Sequence, residues 1–191
     1  MSETFLGVDL SLTSPAVCVF NGSQFDIADC KFYYLTDKKK FELATPQIMG
    51  ELFPYYDCDQ QRYDNIASWV LNLAKANHAS HVFIEDYSFG STGRVFNIAE
   101  NCGLVKHKLW VAGVPFTTIP PTVIKKHATG KGNSNKEVLQ EHFKQKTGLD
   151  IKALLGMTDK QWNPSSDIID SYFICGYGYE AEQNRRLRPS D

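Results

Sequence analysis

The chain has 191 residues, 42% of them apolar and 13% aromatic, enough for one compact domain with a sizeable core. It contains no run of about 18 apolar residues, which excludes a membrane-spanning helix, and its five cysteines are scattered without a CxxC pair, which argues against a disulfide scaffold or a zinc site. The net charge of −2 conceals a segregation: residues 1–100 carry −6, residues 101–160 carry +6 and residues 161–191 carry −2, so a basic middle able to meet a polyanion sits in an acidic chain.

The opening, MSETFLGVDL, has no basic stretch leading into a long apolar run, so we expect a chain that is not secreted and works in a reducing cytoplasm. TFLGVD at 4–9 reads as a buried strand ending on an acid, PAVCVF at 15–20 as a second strand, and the NGS turn at 21–23 leads to a third at about 24–35. Residues 36–60, with TDKKK, two prolines and YYDCDQQ, read as a polar surface excursion. Ile66, Trp69, Val70, Leu73 and Ala74 recur at helical spacing and predict a helix over about 61–77. HVFIED at 81–86 is a short strand ending on acids, GSTG at 90–93 a loop, and Val95 to Trp110 predict a helix over about 94–112. A strand at 115–119, a short helix, a GKGNSN loop, a helix over about 134–147 and a last helix at 166–180 complete the pattern, with a flexible tail at 181–191.

A three-strand meander followed by alternating strands and helices implies an α/β fold, a mixed five-stranded sheet with helices on both faces, formed by a single domain over residues 1–180. Four acids stand where such a sheet builds sites. Asp9 and Glu85 end strands, and Asp167 and Asp170 open the last helix three residues apart, on one face. Each taken alone reads as a turn former or helix cap. Four converging carboxylates repel one another unless cations neutralise them. Hard divalent ions take oxygen ligands, and a pair of them forms a clamp for displacement at phosphorus. The five histidines show no ligand spacing.

Quoted in order, FLGVDLSLTSPAV, VFIEDYSFG, VIKKHATGKGNSNKEVLQ and SSDIIDSYFI resemble the motifs of RuvC-type Holliday-junction resolvases, a branch of the ribonuclease-H-like nucleases. The run IEDYSFGSTGRVFNIAEN is most similar to bacteriophage members. The resemblance implies metal ligation and catalysis by Asp9, Glu85, Asp167 and Asp170, with Mg2+ or Mn2+, two ions per site. It implies basic residues near the scissile phosphate at Lys125 and Lys136, the latter also catalytic, and a homodimer acting on a four-way junction in a bacterial or phage-infected cytoplasm. No nucleotide cofactor is expected. Lys126 and Lys131 flank the same loop and read as DNA contacts, as does Arg94. Tyr87 and Phe89 follow the second acid, where an aromatic stacks on unpaired bases; Ser88 stands where many members carry a phenylalanine, and Leu10 and Ser11 follow Asp9 where the family has proline and glycine.

Three alternatives stand beside this reading. A ribonuclease-H-like nuclease would act on RNA–DNA hybrids or replication forks. A non-catalytic protein would bind junctions without cutting. An actin-like kinase half also begins with a strand and an Asp, but leaves the D-x-x-D helix unexplained.

Overall fold

Residues 3–87 and 95–187 are described by a computed structural model. Strands β1 (Thr4–Asp9), β2 (Ala16–Asn21) and β3 (Cys30–Thr36) form the expected antiparallel meander, and β4 (Leu43–Ala44) and β5 (Ile48–Leu52) follow. Helix α1 (Asp59–Ala76), strand β6 (His81–Glu85), helix α2 (Val95–Val111) and strand β7 (Phe116–Ile119) come next. Helices α3 (Pro121–Thr129), α4 (Lys136–Thr147), α5 (Ile151–Leu154) and α6 (Ser165–Leu187) close the chain. The mixed sheet runs β4-β5-β3-β2-β1-β6-β7, with β6 parallel to both β1 and β7.

The sheet has seven strands rather than five, and the difference lies in the supposed excursion. Residues 48–52 pair parallel with the outer edge of β3, and residues 43–44 pair back on them. Ile48 and Gly50 face inward, and Gly50 is a place where a side chain would collide with the Tyr34 ring, whose hydroxyl donates to the Phe41 carbonyl. Part of the segment is therefore sheet, and residues 53–58 lie on the surface.

Alternation along β1 and β6 sorts side chains to two faces. Leu6, Val8, Val82 and Ile84 meet Ile66, Val70, Val105 and Leu109 of α1 and α2. Phe5 and Phe83 face the other way, into an aromatic core with Phe20, Phe32, Tyr172 and Phe173, covered by α6. Helix α6 runs on to Leu187 instead of stopping at 180, because Glu182 holds Arg185 and Arg186, and Arg186 reaches Glu3.

Candidate active site

Period-two alternation places Asp9 on the same face of β1 as Phe5 and Gly7, and Glu85 on the same face of β6 as Phe83. The parallel register pairs Gly7 with Phe83 and Val8 with Ile84, so Asp9 and Glu85 come next, side by side at the carboxyl ends of the central strands. Helix α6 crosses this face at Gly7, so close that a Cβ there would strike the Ser171 carbonyl and the Cys175 amide. That approach lays the first turn of α6, with Asp167 and Asp170, against the two strand-end acids.

Local hydrogen bonds fix the acids. The Ser11 amide donates to Asp9 Oδ1 at 3.1 Å, a turn that needs neither proline nor glycine. Buried Asn101 of α2 donates to the Leu10 carbonyl at 3.4 Å, and the Arg62 guanidinium of α1 donates to the Leu12 carbonyl, so two helices hold the loop after β1. Asp167 Oδ2 accepts from the Ser14 hydroxyl and, at 2.7 Å, from the Asn163 amide. The motif reading missed Ser14 and Asn163: both are ordinary polar loop residues in sequence, and only the fold brings Ser14 to an acid 153 positions away.

The site is short of positive charge. Asp9 and Asp167 are buried, and Glu85 and Asp170 are half-buried. Burial drives the Asp9 carboxyl far above the ordinary carboxylate range, and the charges of Asp167, Asp170 and Glu85 push it the same way. Burial raises Glu85 to about 8, with Asp170 adding to the rise and Lys125 opposing it. Burial likewise raises Asp167 to about 7 against the pull of the Ser14 hydroxyl, and Asp170 to about 6 against Lys136 and Lys125. Asp9 and Asp167 act on each other as well as on their neighbours, and both are held above the ordinary carboxylate range.

The donor chemistry fits a hard divalent cation: every convergent group is a carboxylate, and each lacks a full counter-charge. Among the described residues, no three acid, histidine or cysteine side chains stand grouped as a finished metal cage. The acids act on one another through their charges.

Of the described basic residues, two reach the acids. Lys125 on α3 acts on Glu85 and Asp170, and Lys136, the first residue of α4, donates to Ser166 Oγ at 3.2 Å and acts on Asp167 and Asp170. Lys126 and Lys131 are exposed, and no described contact ties them to the acids. The loop they flank is pinned, not slack: Thr129 Oγ1 lies 2.9 Å from the Lys125 carbonyl and 2.5 Å from Ser134 Oγ, with Gly130 in the left-handed conformation at φ 78°. Tyr87 is half-buried beside Glu85 in a cleft of about 200 Å³, with Lys106 5.8 Å from its ring centre. Phe89, Arg94, Ser88 and the 90–93 loop lie outside the described residues.

Solved structures share this architecture. Thermus thermophilus RuvC matches over 95% of this chain and 96% of its own, at 18% identity and a TM-score of 0.59. The same protein in complex with a Holliday-junction substrate gives 17% identity and a TM-score of 0.61 over the same shares. The fold is that of the RuvC-type resolvases. The yeast mitochondrial Holliday-junction resolvase Ydc2 matches 98% of this chain and 82% of its own, at 13% identity and a TM-score of 0.60. No protein-family model matches the chain, and no curated protein does. Among the described residues, no helix is long and apolar enough to cross a membrane.

Proposed function

We propose that the chain is a divalent-metal-dependent, structure-selective endodeoxyribonuclease that resolves four-way DNA junctions by paired phosphodiester hydrolysis. The observation that supports this is that four carboxylates from β1, β6 and α6 lie near enough on a resolvase-like fold to act on one another, with two lysines acting on them. Asp9, Glu85, Asp167 and Asp170 would hold Mg2+ or Mn2+, two ions per site. Bound there, the ions supply Lewis-acid activation of water and charge neutralisation at phosphorus. The protein's own residues do the rest. Ser14 and Asn163 orient Asp167, and the Ser11 amide orients Asp9. Lys136 and Lys125 bring positive charge to the phosphate as negative charge builds on it.

The same reading makes the chain a homodimer, since a nearly two-fold junction suits a two-fold enzyme. The outer face of α2 supports this: Phe96 and Trp110 are 78% and 71% exposed on one stripe, with open ground at Gly103 between them. The enzyme would act in a reducing cytoplasm, bacterial or phage-infected, a setting its five free thiols support.

The test is cleavage of a labelled synthetic junction with Mg2+ and with chelator, beside linear duplex, fork and RNA–DNA hybrid. Paired, metal-dependent nicks in opposed strands are expected. Cutting of forks or hybrids alone would keep the metal site and change the substrate; tight binding without any cutting would remove the enzyme.

A further inference from the structure

The Asn163 amide that steadies Asp167 forms the floor of a separate cleft. It donates to Thr13 Oγ1 and to Ser14 Oγ at 3.1 Å each, closing the loop after β1 onto the loop before α6. The space above, about 480 Å³, is walled by exposed Lys38 on one side and by exposed Lys160 and half-buried Trp162 on the other. Trp162 also borders the small hollow of Lys136 and Asp170, so its indole divides the acid site from this cleft. The indole is braced: buried Lys152 lies 3.6 Å from its ring centre and donates to the Asp159 carbonyl at 3.0 Å.

Lysines outnumber acids in the wall of the cleft, Lys38 and Lys160 against Asp37. Lys39 and Lys40 stand exposed next to Lys38. Among the described residues the one acid in its wall, Asp37, faces the Arg62 guanidinium at 3.9 Å. Past Thr36 and Asp37 the cleft continues into a second one of about 280 Å³ beneath Phe53 and Tyr56, with Tyr55 81% exposed at its mouth. A trough with lysines at the end nearest the acid site and aromatic side chains along it has the chemistry of a nucleic-acid strand path.

We propose that this trough holds the DNA strand that leaves the acid site on the far side of Trp162 from Lys136, with Lys38 and Lys160 on its phosphates and Trp162 against a sugar or base. The inference rests on the nuclease reading. It also makes sense of the 36–60 segment, whose sheet-bound part carries the rest as the outer wall of a DNA channel.

Junction affinity is measured by fluorescence anisotropy in chelator, so that nothing is cut, across a range of salt, with cleavage by the wild type followed separately in Mg2+. For Lys38→Ala/Lys160→Ala, the slope of log affinity against log salt falls by about two, one for each lost phosphate contact. Trp162→Ala weakens binding about tenfold with the slope unchanged. Lys75→Ala, an exposed lysine on α1 outside the trough, changes neither. Wild-type affinity and slope in both trough variants, with the wild type cutting junctions, would overturn the trough and leave the nuclease reading intact. A wild type that neither binds nor cuts any junction would overturn the nuclease reading, and the trough with it.

Discussion

The two ends of α6 treat acidic side chains in opposite ways. At its carboxyl end, Glu182 accepts from Arg185 at 2.8 Å and from Arg186 at 3.0 Å, and the same Arg186 clasps Glu3. Arg185 holds the Glu182 carboxyl below the usual range, and Arg186 does the same for Glu3. At its amino end, Asp167 and Asp170 are pushed up to about 7 and about 6 by burial, and their lysines answer only part of that charge. One helix thus shows that this chain can neutralise its acids from within, and that beside Asp9 and Glu85 it does not. Internal pairing ties down a helix end. Leaving the acids short of counter-charge costs stability and, under the proposed function, readies them for a cation.

The sharpest way to break the contrast is Asp167→Asn. It removes one carboxylate charge while keeping an oxygen for Ser14 and Asn163. Single-turnover junction cleavage should fall roughly 10³-fold, with junction affinity within a few-fold of wild type. Loss of binding and of folded structure together would make Asp167 structural. Next comes Lys136→Ala, which withdraws a counter-charge that acts on Asp167 and Asp170; cleavage should drop about tenfold to a hundredfold, and unchanged rates would remove α4 from the site.

The third prediction concerns pH. The four acids bind protons more tightly folded than unfolded, so the stability they contribute is complete below their unfolded values near 4. It is lost as pH rises through their folded values, about 6 for Asp170, about 7 for Asp167 and about 8 for Glu85. Thermal melts in chelator should therefore fall between pH 5 and pH 9, and Mg2+ should flatten the curve by taking the place of the protons. A chelated protein most stable at pH 9 would contradict the unpaired cluster. Smallest is Glu182→Gln: its arginine partners are exposed, so stability should change by under about 1 kcal/mol and cleavage not at all.

The acids were legible in sequence because each sits where a periodic segment begins or ends, and because i, i+3 spacing puts two of them on one helical face. The meander, the parallel strands and the helices on both faces were legible from alternation and from helical periodicity. Strands β4 and β5 were not: two and five residues long, separated by a turn that holds Thr45 and Pro46, they gain their conformation from the free edge of β3. Nor could periodicity single out Ser14, Asn163, Arg62 or Asn101, whose partners lie across the fold.

Gly7 acts as a spacer beneath the site. The separation between the strand-borne acids and the helix-borne acids is set by backbone resting on backbone one layer below them, not by the loops that carry neighbouring residues. Any side chain at position 7 acts as a shim, lifting α6 and widening the gap between the two pairs of acids while every carboxylate keeps its identity. The spacing of the four acids is thus governed by a buried residue that carries no functional group of its own.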